Sequence, residues 1–143
     1  MVDIILDTNA IKQMYKRNVA EHILSKIREN CDNLIFPEGI RSEVSARVKV
    51  PQFNILIMEF MTSLRNKFIS KRCHDRHLKE EFRKKGLKKK DREIACVAVE
   101  RAKKVGNVLL ITDDPDFREY HVHENLSEHK VKVMGFNDFL NIL

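Results

Sequence analysis

Short runs of branched apolar residues alternate along the chain with longer stretches whose apolar residues recur every three or four positions. A short run in which nearly every residue is apolar is typical of a strand buried on both faces of a parallel sheet. From these runs, and from strict alternation in the last segment, the predicted strands are Val2–Leu6, Leu34–Phe36, Phe68–Ile69, Val108–Thr112 and Lys130–Met134.

The stretches between these strands have the spacing of amphipathic helices. Apolar residues at intervals of three and four form one stripe along a helix, and that stripe packs on a sheet. The predicted helices cover 10–15, 19–27, 40–48, 51–64, a polar segment ending near Gly86, 91–102 and 136–143. Because strands and helices alternate, the chain is expected to fold as one domain, residues 1–143, an α/β sandwich with a parallel sheet.

The composition argues against a disordered or membrane-spanning chain. Hydrophobic residues make up 43% of the 143 residues, and no apolar run approaches the ~20 residues that a spanning helix requires. The N-terminus lacks the basic start and apolar core of a signal peptide, so a cytoplasmic location is expected. Cys31, Cys73 and Cys96 are odd in number and form no Cys-x-x-Cys pattern, which predicts free thiols in place of a disulfide framework or zinc site.

Acidic residues directly follow two of the predicted strands. Asp7 follows the first strand, and Asp113 and Asp114 follow the fourth. In open α/β sheets, binding sites form in the crevice outside the carboxyl ends of the strands, at the point where strand order reverses. These carboxylates are therefore expected to be neighbours despite their distance in sequence.

Two further acidic residues lie on predicted helices. Glu43 flanks the apolar stripe of the predicted helix at 40–48, and Asp91 is the first residue of the predicted helix at 91–102. Two carboxylates 4 Å apart repel by about 1 kcal/mol in water and by about 4 kcal/mol at an effective dielectric of 20, so a cluster needs protons or a cation. An all-oxygen ligand set suits Mg²⁺ or Mn²⁺, which activate water for attack on phosphate.

Each acidic residue taken alone also has an ordinary structural explanation. Asp7 is suited to cap the helix that follows it, and Asp91 is favoured at a helix start by the helix dipole. Glu43 by itself is an ordinary surface glutamate. Asp113, Asp114 and Asp116 fit a solvated turn around Pro115. Only their joint arrangement favours a metal site.

Basic residues lie in blocks beside this acidic set. The formal net charge is +6, and two runs directly precede Asp91, namely Arg83-Lys84-Lys85 and Lys88-Lys89-Lys90. An acidic metal site with a basic surround suits a phosphodiester polymer, so these six residues are predicted to bind the phosphates of such a polymer; a solvated surface that maintains solubility is the alternative. The pairs His74/His77 and His121/His123 permit zinc on one helical face and one strand face respectively, but no complementary ligand set accompanies them.

The order of these motifs resembles the PIN-domain nucleases. Leu-Asp-Thr-Asn ends the first strand, a Glu lies in the helix after the second strand, and Asp-x-x-Ile-Ala-x-x-Ala starts a later helix. Leu-Leu-Ile-Thr-Asp-Asp-x-Asp-Phe completes the pattern. The resemblance covers nearly the whole chain, and its most specific parts are Asp7-Thr8-Asn9 and Thr112–Phe117.

The resemblance implies a fold, an activity and partners. The fold is a Rossmann-like three-layer sandwich with a central, mainly parallel sheet. The activity is Mg²⁺- or Mn²⁺-dependent cleavage of single-stranded or structured RNA, in a toxin of the VapC type or in an RNA-processing enzyme. The implied partners are RNA, an antitoxin protein and a second copy in a homodimer, with no membrane.

The resemblance also assigns roles to particular residues. The catalytic and metal-binding quartet would be Asp7, Glu43, Asp91 and Asp114, and Asn9 and Thr112 would orient it. The fourth family position varies, so Asp116, or with less support Asp113, is an alternative or additional ligand.

Two other functions compete with this hypothesis. A non-catalytic PIN-like protein that binds RNA or regulates it would share the fold, although the complete acidic set argues against it. A receiver-like or phosphatase-like domain would use Asp7 as a phosphoryl acceptor. That chemistry needs acidic and lysine partners that Asn9 and Thr112 do not supply.

Overall fold

A parallel sheet forms the centre of the protein, for which a computed structural model describes residues 2–30, 32–38, 40 and 50–143. All four strand pairings are parallel, and the strand order is β3-β2-β1-β4-β5. The strands are β1 (Asp3–Leu6), β2 (Asn33–Pro37), β3 (Phe68–Lys71), β4 (Val108–Ile111) and β5 (Val131–Met134). The predicted parallel α/β architecture is confirmed, and the last strand is at an edge as expected.

Helices connect the strands. They are α1 (Thr8–Lys16), α2 (Ala20–Glu29), α3 (Val50–Leu64), α4 (Arg76–Lys84), α5 (Lys89–Val105), α6 (Tyr120–Glu128) and α7 (Phe136–Ile142), with short 3-10 turns at Arg65–Lys67 and Pro115–Arg118. The helices α1, α2 and α3 pack in succession on one another, while α4 packs on α5, which contacts β1, β2, β4 and β5. The sheet is thus the middle layer of a sandwich.

Small side chains let α5 approach the sheet closely. Ala95 and Ala98 are fully buried, and Ile94 and Ala102 are nearly so. This is the small-residue face predicted for the helix that begins near Asp91. Because close packing holds α5 over the central strands, the first turn of α5 is fixed beside the carboxyl ends of those strands.

The helix α3 is only half buried. Leu56, Phe60 and Leu64 are in the core, but Met58 is 65% exposed and Met61 55% exposed. Ile55, one turn before Met58 and Glu59, is also exposed at 60%. The broad apolar surface of α3 is therefore not buried on the side that carries Ile55, Met58 and Met61.

The two zinc geometries considered for the histidine pairs are not formed. His121 and His123 lie in α6, a helix that the pattern did not predict, and residues two apart on a helix do not share a face. His74 lies before α4 and only His77 is in it, so this pair does not form a helical i, i+3 pair. Neither pair therefore has the ligand geometry that was considered for zinc.

The prediction of free thiols is also wrong for two of the cysteines. Cys73 and Cys96 form a disulfide with a Cα–Cα distance of 5.6 Å. Cys73 follows β3 and Cys96 lies on α5, so only the packing of that loop on α5 brings them together. Cys31 lies outside the described residues.

Within the described ranges, every helix is too short or too polar to cross a bilayer.

Candidate metal centre

An acidic cleft opens where the strand order reverses. The chain places β2 and β3 on one side of β1 and β4 and β5 on the other, and in such sheets the crevice at this point is the usual binding site. The cleft has a volume of about 660 Å³. Its lining residues are Asp7, Thr8, Asn9, Lys12, Lys88, Lys89, Lys90, Asp91, Ile94, Asp113, Asp114, Pro115 and Asp116.

Backbone hydrogen bonds bring the ends of the two central strands together. The Asp7 N–H donates to the Ile111 carbonyl at 3.1 Å, and the Thr112 N–H donates to the Met134 carbonyl at 2.9 Å. The ladder therefore continues one residue beyond each strand. This continuation explains why Asp7 and Thr112 are adjacent although 105 residues separate them.

Both oxygens of the Asp7 carboxylate accept hydrogen bonds. Oδ1 accepts from the Ala10 N–H at 2.8 Å and so caps α1, and Oδ2 accepts from the Thr112 hydroxyl. The capping explanation for Asp7 is thus correct but incomplete. Each carboxylate oxygen has two lone pairs, so these contacts orient the group and leave lone pairs for a further ligand.

The surroundings of Asp7 disfavour its ionised form. Burial raises the pKa of the Asp7 carboxyl above its ordinary value; the hydrogen bonds from Thr112 and Ala10 oppose this, and the charges of Asp114 and Asp113 add to it. Asp7 is only 6% exposed. A buried carboxyl near other carboxylates is a group that a cation would stabilise in its charged form.

Thr112 links Asp7 to the acidic turn after β4. Its hydroxyl donates to Asp7 and accepts the Asp114 N–H at 3.0 Å, and its side chain is fully buried. Asp114 in turn accepts the Asp116 N–H at 2.9 Å and caps the 3-10 turn. The expectation that Thr112 orients the acidic set agrees with this hydrogen-bond chain.

Three carboxylates converge in the cleft. Oxygen atoms of Asp91, Asp114 and Asp116 lie within 4.8 Å of one another, although Asp91 comes from the first turn of α5 and the other two from the turn after β4. Asp116 therefore stands beside Asp114 as an additional member of the set.

Asp113 faces away from this group. Its Oδ1 accepts the Phe136 N–H at 3.3 Å and lies 3.9 Å from an Arg118 nitrogen. A Cβ on Gly135 would be 2.8 Å from that same oxygen, so the glycine permits the close approach. These contacts explain Asp113 as a residue that holds the turn against α7.

The remaining predicted site residues differ in what the structure records. Glu43 lies outside the described residues. Asn9 lines the cleft as an exposed residue, and its side chain makes no hydrogen bond with the described part of the chain. The neighbouring Thr8 is 5% exposed, and its hydroxyl oxygen is buried with no partner among the described residues.

The basic residues divide into two groups. Lys88, Lys89 and Lys90 line the cleft, whereas Arg83, Lys84 and Lys85 do not. Lys12 also lines it and was not predicted. Lys12 is four residues after Thr8 on α1, so the helical spacing from Asp7-Thr8-Asn9 would have indicated it.

These residues fit a divalent cation. The convergent donors are carboxylate oxygens, which Mg²⁺ and Mn²⁺ prefer. The unpartnered Thr8 hydroxyl lines the same cleft and could bond to a water molecule on a hydrated ion.

Comparison with known proteins supports the fold. No protein-family model and no curated protein sequence matches the chain. Among solved structures, a chain of VapBC2 from Rickettsia felis, crystallised with a DNA fragment from the promoter, aligns over 94% of this chain and 98% of its own length. The TM-score is 0.60 at 17% sequence identity. The protein has a PIN-like fold. At this identity the likeness establishes the PIN-like architecture alone, and the chemistry must be argued from the cleft.

Proposed function

We propose that this PIN-like protein is a metal-dependent endoribonuclease that hydrolyses RNA phosphodiester bonds. The observation that carries the proposal is the convergence of the Asp91, Asp114 and Asp116 carboxylates within 4.8 Å, beside a buried Asp7 whose pKa is raised by its burial. When bound there, Mg²⁺ or Mn²⁺ would lower the pKa of a water molecule and neutralise charge on the phosphate.

The chain's own residues would hold and orient that cation. Asp91, Asp114 and Asp116 offer ligand oxygens from two elements, and Asp7 offers a carboxylate that Thr112 and the α1 N-terminus hold in position. Glu43, which the resemblance places in one quartet with Asp7, Asp91 and Asp114, remains part of the proposal. No residue acts as a covalent nucleophile.

Lysines on two sides of the cleft would position the substrate. Lys12 comes from α1, and Lys88, Lys89 and Lys90 precede or begin α5. Positive side chains around an acidic cleft attract a phosphate backbone and orient it toward the metal ligands. They also offset the repulsion that the carboxylates would exert on a polyanion.

Cleavage of an unstructured RNA with Mn²⁺ tests the proposal directly. Asp114→Asn should lower the cleavage rate by about 10²–10³-fold, the scale of losing one group that stabilises transition-state charge. Glu128→Gln, an exposed carboxylate on α6 outside the cleft, is the matched control and should cleave like wild type. An RNA that binds the wild-type protein and stays intact with Mn²⁺ would favour the non-catalytic alternative.

We also propose that the exposed side of α3 is covered by a protein partner of the antitoxin type. Ile55 and Met58 line an open cleft with Leu24 of α2, and both are more than half exposed. An exposed apolar patch commonly marks an interaction site. The structural neighbour belongs to the VapBC2 complex, which supports a partner of this kind.

Co-expression with the reading frame beside its gene tests this partnership. The chain expressed alone should inhibit growth, and a cognate partner should relieve the inhibition unless Met58→Glu disrupts the apolar patch. Light scattering on the purified chain gives the other outcome. A stable dimer of the chain alone that Met58→Glu dissociates would identify a second copy as the occupant.

A further inference from the structure

A second cleft adjoins the acidic one and is mainly basic. It has a volume of about 600 Å³. Its lining residues are Glu38, Arg72, Arg76, Lys79, Glu80, Lys89, Lys90, Arg92 and Glu93. Lys89 and Lys90 line both clefts, so the two clefts adjoin at the start of α5.

Two of the three carboxylates in this basic cleft are already engaged. Glu93 accepts the Cys73 N–H at 2.8 Å and pairs with Lys79 at 3.0 Å. Glu80 forms a two-point contact with Arg83, which lies outside the cleft. Arg72 and Arg76 are both exposed, and their side chains form no hydrogen bond or ion pair within the described part of the chain. Glu38 contributes one negative charge against the two positive charges of Arg72 and Arg76, so the net charge left unpaired by these three residues is positive.

The backbone adds to this positive potential. Arg76 of α4 and Lys89 and Lys90 of α5, all in first turns, line the cleft. The N-terminal end of a helix carries a partial positive charge and unpaired N–H groups, which favour an anion. The Asp75 carboxylate already caps α4 by accepting the Leu78 N–H at 3.1 Å, whereas α5 begins without a side-chain cap. The uncapped start of α5, together with the arginines, favours a ligand with more than one negative group.

The segment that carries the arginines is held in place. Glu100 accepts the N–H groups of His74 and Asp75 at 2.9 and 2.8 Å. The disulfide Cys73–Cys96 ties the same segment to α5. Since α5 also carries Asp91, the arginines and the candidate metal ligands are fixed to one helix. A preorganised anion site loses less conformational freedom on binding.

We propose that this basic cleft binds the sugar-phosphate backbone of the RNA strand to one side of the cleavage position. The strand runs from the acidic cleft across Lys89 and Lys90 to Arg72, Arg76 and Arg92. This inference rests on the proposed ribonuclease function. Single-stranded RNA is the occupant because a chain of regularly spaced phosphates offers one group to the metal ligands and further groups to the arginines. An acidic peptide could contact the arginines, but it carries no phosphate for the metal ligands of the acidic cleft.

The test compares two pairs of basic residues on the same part of the chain. Arg72→Ala/Arg76→Ala removes two cations from the basic cleft, and Lys84→Ala/Lys85→Ala removes two that line neither cleft. Binding of a labelled unstructured RNA is measured across a salt series with Ca²⁺ in place of Mn²⁺, so that turnover does not interfere. Thermal melting of both variants verifies that they are folded.

The arginine pair should weaken RNA binding and flatten its salt dependence by about 0.7 in slope per lost single-strand contact. The lysine pair should leave both quantities close to wild type. In cleavage assays with Mn²⁺, the arginine pair should raise KM for a long RNA with little change in kcat, and should not affect a dinucleotide. Equal affinity and slope for the two pairs would overturn the inference.

Failure of this inference and failure of the ribonuclease proposal give different results. Arginine-dependent RNA binding without any cleavage by the wild type would overturn the proposed activity and keep the basic cleft as an RNA site. Normal cleavage by the wild type, with RNA binding that does not depend on the arginines, would keep the ribonuclease proposal and overturn the inference about the basic cleft. A third outcome concerns acidic ligands. If polyglutamate displaces RNA from the wild type and from the lysine pair, while the RNA affinity itself does not depend on the arginines, the basic cleft binds an acidic protein ligand. That result would also overturn the inference.

Discussion

The two ends of β1 carry buried aspartates in opposite electrostatic surroundings. Asp3 is 1% exposed, and its carboxylate lies 2.5 Å from Arg101 Nε and 3.0 Å from Asn33 Nδ2. Asp7 is 6% exposed and accepts hydrogen bonds from Thr112 and Ala10. Within the described part of the chain, Asp7 has no cationic partner, and its charged neighbours Asp113 and Asp114 are acidic.

Under the proposed function, this contrast is the one expected between a structural carboxylate and a metal ligand. A buried charge is tolerated when an opposite charge and hydrogen bonds compensate for lost hydration. The protein supplies that compensation for Asp3 from α5. At Asp7 it supplies orientation without charge, which is the arrangement expected where an external cation completes the site.

The largest expected difference between the two aspartates is in catalysis. Asp7→Asn should lower RNA cleavage with Mn²⁺ by about 10²–10³-fold or more, because it removes charge that stabilises the bound cation. Asp3→Asn should leave kcat per folded molecule within a few fold of wild type. Single-turnover cleavage assays measure the rates of both variants, and titration with RNA gives the concentration of folded, RNA-binding protein in each sample. Full activity in Asp7→Asn would remove the basis for the metal mechanism.

The next difference is in the stability of the metal-free protein. Asp3→Asn should lower the free energy of unfolding by about 3–5 kcal/mol, since it leaves Arg101 buried without its partner. Asp7→Asn keeps a capping oxygen and relieves repulsion, so it should be neutral or stabilising by about 1 kcal/mol. Urea denaturation with a chelator measures these values. The variant Asp3→Leu/Arg101→Met is the control and should recover much of the loss. Equal destabilisation by both asparagine variants would show that Asp7 is structural too.

Added metal should sharpen the same distinction. Mn²⁺ at 100 times its dissociation constant should stabilise the wild type by about 2.7 kcal/mol through ligand linkage. The gain should persist in Asp3→Asn and be smaller in Asp7→Asn. Comparing Asp114→Asn with Asp116→Asn in the same melting series would rank these two residues as ligands. A gain that is the same in all variants would mean that Mn²⁺ binds elsewhere.

The smallest expected effect is on the pH dependence of stability without metal. Because burial raises the pKa of Asp7 above its ordinary value of 3.8, the folded protein binds this proton more tightly than the unfolded chain does. Ionisation of Asp7 therefore costs stability as the pH rises above 3.8. The free energy of unfolding of wild type minus that of Asp7→Asn should be flat below this pH and then decline. A difference that increases with pH would contradict the raised pKa.

The local pattern was sufficient for much of the fold and for part of the candidate site. Apolar runs predicted four strands and alternation predicted the fifth, and acidic residues after β1 and β4 line one cleft. Helical spacing failed for α6, whose segment between the 3-10 turn and β5 is mostly polar. Helical spacing did predict α3, but it did not predict that the apolar residues Ile55, Met58 and Met61 of this helix are exposed.

The sequence alone determined which segments are strands and that carboxylates follow two of them, because these properties depend on neighbours along the chain. Only the tertiary structure decided which residues those carboxylates contact. It turned Asp113 toward α7 and Asp116 toward Asp91 and Asp114 and joined Cys73 to Cys96. It also paired Asp3 with Arg101, whereas Asp7 has no cationic partner among the residues that the structure describes. Each of these outcomes depends on contacts between residues far apart in sequence, whose energies no local pattern records.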